Sequence, residues 1–383
     1  MQSLREIIKR LHPAQVPAKV GPIGLQFARE ELHLVQMQKA SDGGVTLRAR
    51  ASIPYPGAFD EIMNSPGRLR SLVHRALRTN GFTGRKVVSS MAADEVRIIS
   101  VCYQLNKGEE DDHAIVDLMR DRIDGELADY VLDYVPVRTK SKEGQRLALV
   151  AMSKRREVLE HLELLQALGL RIEALEIGPV AIRRLIQAMS SQEEPENVLV
   201  VNFGADKSYL TIVSHRRLLS DQEISFGENT ILERLSETLD ISPEMARNMV
   251  FKNGLDPAGA RDAVGLALAE TGMFNTLLEI VKPELTRLAE EVRRAFMYAT
   301  SESRGGPTQR VFILGSIARW PGSGRLLDTI IDAPVRKIPD PSAIFHATDG
   351  QPEDANHDPS PDGAAPELAV ATGLALRGMD RDG

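Results

Sequence analysis

Between residues 23 and 53 the apolar positions alternate as strand, turn, strand, turn, strand. Ile23 to Phe27 is apolar, Arg29, Glu30 and Glu31 are polar, and Leu32, Leu34 and Val35 return. Asp42, Gly43 and Gly44 make a turn, and Val45 to Ile53 is again a strand. Helical spacing takes over from Arg68 to Thr79, and strands are predicted at Lys86–Ser90 and Arg97–Leu105. Glu109 to Asp112 places carboxylates where a helix start favours them, predicting a helix that runs to about Leu127. Strands at Tyr130–Val137 and Arg146–Met152 precede a helix capped by Ser153 and ended by Gly169. A strand near Ile172–Leu175 and a helix from Pro179 to Met189 complete a first α/β unit.

The polar stretch Ser190–Asn197 reads as a hinge, after which the pattern begins again. Val198 to Val213 is strand, turn, strand, and Arg217–Ile224 is a third strand. Helices follow at Glu228–Leu239 and Ser242–Lys252, the second with Ser242 as N-cap, Pro243 at its first position and Gly254 past its end. A long helix at Leu277–Thr300, an apolar strand at Arg310–Leu314 and a closing helix at Leu368–Arg377 finish the chain. Ser3–Leu11 has helical spacing, with Leu4, Ile7, Ile8 and Leu11 on one stripe; it either packs on its own domain or makes a weak membrane-surface contact. Asp349–Pro366, rich in Pro, Asp and Gly, is expected to be disordered.

The two units start alike. Gly24-Leu25-Gln26-Phe27-Ala28-Arg29-Glu30 and Val200-Val201-Asn202-Phe203-Gly204-Ala205-Asp206 each run from an apolar strand through a carboxamide, Phe and a small residue into a polar turn. They are either two unrelated hairpins or the halves of a duplication. A duplication would set two α/β lobes face to face across a cleft, where ligands often bind.

Charge and composition narrow the function classes. Net charge is −7 and no concentrated basic stripe stands out in the sequence, which argues against nucleic acid. The one cysteine, Cys102, cannot form an internal disulfide and is expected in the core, because Val96 to Leu105 is apolar. Its position as a thiol nucleophile is the other reading. His12, His33, His74, His113, His161, His215, His346 and His357 are scattered without metal-ligand spacing. No apolar stretch reaches the ~20 residues of a membrane span, and Arg5, Lys9 and Arg10 interrupt any signal-peptide pattern, so a cytoplasmic location is expected.

Several segments, in order, resemble the PilM proteins of type IV pilus assembly and, more distantly, FtsA within the actin and Hsp70 superfamily. Ile23–Met37 and Val198–Val213 are similar to that superfamily's two phosphate loops, and Val311–Gly322 to its adenosine loop. Ile224–Asn229, Leu288–Tyr298 and Ala371–Arg377 resemble the segment leading into the subdomain above the nucleotide, a long helix and the C-terminal helix. The resemblance implies an α/β, actin-like ATPase fold with ribonuclease H-like duplicated lobes and an FtsA/PilM-type extra subdomain. It implies an N-terminal helix and linker at 1–19, a first lobe at 20–195 with the extra subdomain at about 86–165, a second lobe at 197–345, and residues 367–383 returning to the first lobe. It also implies a platform role in which a groove between main and extra subdomains takes the cytoplasmic tail of the inner-membrane protein PilN.

The family's motifs put an Asp in each phosphate loop to hold Mg²⁺ through its waters and orient the attacking water. Here those positions are Gln26 and Asn202. A carboxamide offers magnesium only a neutral oxygen and is no base near pH 7. The first loop has Ala28, Arg29 and Glu30 where glycine is expected, and the adenosine loop has Ser316 after Gly315 where a second Gly is expected. Where the family often shows Ala-Glu-x-x-Lys, with the charged pair on ribose and adenine, this chain has Ala246, Arg247, Asn248, Met249 and Val250. Gly204, Ala205, Lys207 and Ser208 could still meet an anion. Gln26, Ala28, Asn202, Gly204, Ala205, Lys207, Ser208, Gly315 and Ser316 therefore make a degenerate cofactor site, with no metal ligand and no catalytic residue, at which ATP remains an open ligand.

Three functions compete. The first is a non-catalytic scaffold of the type IV pilus, or the related type II secretion system, held at the inner membrane by a PilN-like tail, with a homo-oligomer left open. The second is a weak ATPase in which Glu176 and Asp206 replace the missing acids. The third is an FtsA-like division protein, disfavoured because residues 379–383 have no apolar face.

Overall fold

The computed structural model describes residues 19–40, 43–105, 109–123, 125–137, 145–190, 197–254, 267–303, 308–345 and 364–379. The expected helix at Ser3–Leu11, most of the Ser190–Asn197 hinge and the loop from 349 to 363 lie outside them. Ala364, Ala365 and Pro366, at the end of that expected disordered loop, are buried, and Ala364 bridges to Pro339.

β1 (Val20–Phe27), β2 (Glu31–Lys39) and β3 (Val45–Pro54) form an antiparallel meander. Helices α1 (Phe59–Met63) and α2 (Pro66–Thr79) lead to β4 (Lys86–Ser90), which lies parallel to β1. The chain then leaves this sheet through β5 (Arg97–Gln104), α3 (Asp111–Arg120), β6 (Tyr130–Val137) and β7 (Gln145–Lys154), which make a separate antiparallel sheet of order β5-β7-β6. It returns by α4 (Arg155–Ala167) and β8 (Arg171–Glu176), completing the order β3-β2-β1-β4-β8, and α5 (Gly178–Met189) follows. Because β4 belongs to the main sheet, the separate sheet begins at Arg97, later than the expected boundary near 86.

The second unit repeats the first. β9 (Asn197–Phe203), β10 (Ser208–Ser214) and β11 (Arg217–Ile224) form a meander, and α6 (Glu228–Leu239), α7 (Pro243–Asn253) and α8 (Ala267–Ser303) follow. β12 (Arg310–Gly315), α9 (Ser323–Ile330), β13 (Val335–Lys337), α10 (Pro341–Ile344) and α11 (Ala369–Ala375) end the chain. The sheet order is β11-β10-β9-β12-β13, with β12 parallel to both β9 and β13. Strand order and direction match the first sheet position for position, so the likeness of the two opening segments reflects a duplication.

Helices cover both faces of each sheet, which is why β9 reads as an unbroken apolar run. Ile23 and Leu25 of β1 pack with α2 and α4, while Val35 and Met37 of β2 face α5 and α11. Val198 and Val200 of β9 belong to the same cluster, so one apolar cluster joins both sheets. On the far side of the second sheet, Leu199, Val201 and Phe203 pack with α6 and α8. Val137, Leu147 and Leu149 of the small sheet enter that cluster too, and the small sheet's other face closes on α3 through Ile115 and Met119.

Three local expectations are corrected. The helix expected to reach Leu127 stops at Arg120; Gly125 takes φ +107° and Leu127–Asp129 forms a separate 3-10 turn. Ser153 does not cap α4, because β7 runs on to Lys154 and Ser153 is held extended opposite Val131. Cys102 is exposed, because it alternates with Val101 and Tyr103, whose side of β5 faces the core.

Candidate functional site

Three strand ends build the inter-lobe site. β1 ends in a turn where the Ala28 N–H donates to the Glu31 carbonyl at 3.1 Å. β9 ends in a turn where the Gly204 N–H donates to the Lys207 carbonyl at 3.0 Å. β12 ends at Gly315, whose φ of +85° and approach to the Phe203 carbonyl leave no room for a side chain: a Cβ would stand 2.1 Å from that oxygen.

The second and third strand ends are tied together. The Ser316 N–H donates to the Phe203 carbonyl at 2.9 Å, and its hydroxyl donates to the Gly204 carbonyl at 3.1 Å. Asn202 stands opposite Leu314 in the β9–β12 register, beside Gly315. The first backbone N–H groups of α6 are also engaged: Glu228 donates to the Gly204 carbonyl at 3.0 Å and Asn229 to the Ala205 carbonyl at 2.8 Å. A helix start is a ready anion site when such groups are free; these two point at loop carbonyls.

The side chains offered by sequence to an anion are likewise engaged. Lys207 Nζ donates to Glu223 at 2.6 Å, and the buried Ser208 hydroxyl donates to the Phe226 carbonyl at 2.6 Å. Asp206 accepts from the Asn229 amide at 2.7 Å. Glu176 is buried and takes two bonds from Arg184, each 2.9 Å, and a third from Arg377. In the first lobe Gln26 pairs in register with His33, and its Oε1 is buried without a hydrogen-bond partner among the described residues.

Between the lobes runs an ionic network that no local motif announces. Glu30, in the β1–β2 turn, ion-pairs with Arg247 of α7 and, at 3.2 Å, with Arg319. Arg319 also reaches Glu31 at 2.9 Å, and Glu31 accepts from or faces His33 Nε2 at 3.3 Å. Arg247 continues to Glu228 at 2.7 Å, and the Trp320 indole donates to the same carboxylate at 3.0 Å. Trp320 is fully buried, and Glu228 is 3% exposed at the first turn of α6.

The two buried acids end with opposite net shifts. At Glu228 it raises the pKa, and Arg247 and Trp320 only partly offset it. At Glu31 burial also raises the carboxyl, but His33 and Arg319 outweigh it and the pKa ends below the usual range. Burial works against the Arg319 charge, yet Glu31, Glu367 and Glu30 hold its pKa above normal.

In the sequence Glu30 and Arg247 stand apart, each as a departure from a motif. Their pairing, and the parts played by Glu31, Glu228, Arg319 and Trp320, come from the fold. The available signal was reciprocal: an acid where the family expects glycine, and a base where it expects an acid. Among the described residues no cluster of His, Cys, Asp and Glu could hold a metal ion, and no helix is long and apolar enough to cross a membrane.

A family model described as type IV pilus assembly protein PilM matches residues 24–264. Among solved structures, a PilM-PilN type IV pilus biogenesis complex is similar with a TM-score of 0.69 at 21% identity, covering 94% of this chain and 99% of that one. The ethanolamine utilization protein EutJ from Carboxydothermus hydrogenoformans has a TM-score of 0.50 at 14% identity, covering 97% and 95%. The two matched five-stranded sheets are thus the lobes of an actin-like ATPase fold. This chain belongs to the PilM family of type IV pilus assembly proteins.

Proposed function

We propose that this chain is a non-catalytic scaffold of the inner-membrane assembly platform of a type IV pilus, or of the related type II secretion system. It binds the cytoplasmic tail of a PilN-like protein and needs no nucleotide to do so. The observation that carries this reading is the bridge from Glu30 to Arg247 and Arg319, which links the lobes where the family places phosphate, ribose and adenine.

A magnesium nucleotide does not fit these residues. Magnesium favours charged oxygens, and Gln26 and Asn202 supply neutral ones. Glu30 would oppose the phosphates, and freeing its two arginines for a ligand would leave the buried Glu228 without its ionic partner. The two acids available as substitutes, Glu176 and Asp206, are committed to Arg184, Arg377 and Asn229. With an amide at each phosphate-loop position, neither would hold magnesium by a charged oxygen or take a proton from an attacking water.

Family membership supports the pilus role, and the similar solved structure is of a PilM bound to PilN. The partner is carried to this chain on that basis, and it gives a chain with no spanning helix among its described residues a route to the inner membrane. Calorimetric titration of candidate PilN-like cytoplasmic tails, with and without Mg-ATP, tests the reading. Saturable tail binding with the same Kd in both conditions is expected. Tail binding that appears only with Mg-ATP, or Mg-ATP binding with no tail binding, would contradict it.

A further inference from the structure

We propose that the outer face of α2 is a docking surface for an anionic phospholipid bilayer. In sequence order its basic residues are diluted by Leu69, Leu72, Val73, Ala76 and Leu77, and no stripe is apparent. Folding makes one, because those five apolar residues are buried and fix the rotation of the helix. Arg68, Ser71, Arg75 and Arg78 then share the opposite, exposed side at helical spacing. None of the 14 residues of α2 is acidic.

Two more arginines join from the flank. Around Gly169, at the end of α4, a guanidinium nitrogen of Arg85 and one of Arg70 lie 3.2 and 3.8 Å from the point a Cβ would occupy. His74 is there too, its Nε2 held by the Leu168 carbonyl at 2.8 Å. Like charges gathered this closely gain from an opposing anion. Yet Arg68, Arg70, Arg75, Arg78 and Arg85 are all exposed, and none has an ion-pair partner among the described residues. Several arginines elsewhere are matched, Arg146 by Asp111, Arg184 by Glu176 and Arg319 by Glu31. The chain has 54 acidic residues against 47 Lys and Arg, so five unmatched cations on this face and its flank are a local reversal of its overall charge.

The spread of these cations selects the partner. A helix of this length spans about 20 Å, which suits a plane of negative charge better than a single phosphate or carboxylate. The outward positions carry no apolar or aromatic side chain. An acidic protein would lack an apolar centre to pack against there, and single-stranded nucleic acid would lack a stacking platform. A phospholipid surface needs neither, since juxtamembrane basic clusters bind it by charge alone. This inference does not depend on tail binding.

Co-sedimentation of the full chain with phosphatidylglycerol-containing vesicles, against phosphatidylcholine vesicles, tests it. Binding to the anionic vesicles alone is expected, weakening steeply with salt. Arg68→Glu/Arg75→Glu/Arg78→Glu should lower it at least about tenfold, while the three corresponding Lys variants retain it. If circular dichroism shows that the Glu variant does not fold, Arg75→Ala must show the loss instead. Equal binding to neutral vesicles, no binding to anionic ones, unchanged binding by the folded Glu variant, or tighter binding to polyglutamate or DNA than to vesicles would overturn it.

Discussion

An amide in place of a carboxylate removes a charge while keeping nearly the same shape, so Gln26 and Asn202 leave β1 and β9 free to pair as strands. Glu30 and Arg247 do more, because each supplies what the other needs. Removing Arg247 would leave Glu228, almost fully buried, with the Trp320 indole and the more distant Arg319 charge. Arg247→Ala is expected to cost about 2 kcal/mol, below the usual figure for a buried pair because the arginine is about a third exposed; urea unfolding followed by Trp320 emission measures it.

Asp221 carries a separate pH dependence. Burial raises its pKa from 3.8 to about 6, against the opposing hydrogen bond from Thr211 at 2.6 Å. The folded state thus holds this proton more tightly than the unfolded state does. The associated stability is complete below pH 3.8 and is lost as pH rises through about 6. Asp221→Asn stays neutral and can still accept from Thr211, so above pH 6 it should stabilise the protein, on the order of 2 kcal/mol. Below pH 4 it should match the parent; unfolding curves at the two pH values decide. His161 shows the reverse: burial lowers it to about 4 beside the Ser89 hydroxyl. It should therefore give no NMR titration between pH 5 and 8, and the stability tied to its neutral form is lost as pH falls from 6.5 through about 4.

At the scale of elements, α11 is the piece on which closure of the two lobes turns. It lies over Gly24 of β1, where a Cβ would stand 2.0 Å from the Ala371 carbonyl. Gly24→Ala would force α11 off β1 and is expected to cost about 3 kcal/mol, seen as a lowered Tm. Much of this level was legible in the sequence. Arg217–Ile224 and Glu228–Leu239 appear with the expected bounds, and Met245 N–H caps onto Ser242 as the Ser-Pro pair implied. The misses have physical causes. Ser153 has good cap chemistry, but its partner Val131 keeps it in a ladder. Cys102 sits in an apolar run whose alternate members face solvent. The basic side of α2 exists only once Leu69, Leu72 and Val73 have chosen the inward side.

For the whole molecule, the duplication was visible as two matching strand-turn-strand segments, and the sheets repeat in order and direction. The ionic network was not, because pattern ties neighbours in sequence and Arg319 lies 289 residues from Glu30. The same separation makes the pair a link between lobes, reinforced by the shared apolar cluster around α5 and α11. On the scaffold reading proposed above, a cleft held this way needs no nucleotide to bring its lobes together. Trp320, the chain's one tryptophan, touches the network through Glu228 and reports on it directly. Titrating Mg-ATP into the full chain while following Trp320 emission is the sharpest test. An unchanged spectrum and no saturable response up to millimolar nucleotide are expected of a non-catalytic scaffold; a saturable change that requires magnesium would contradict that reading.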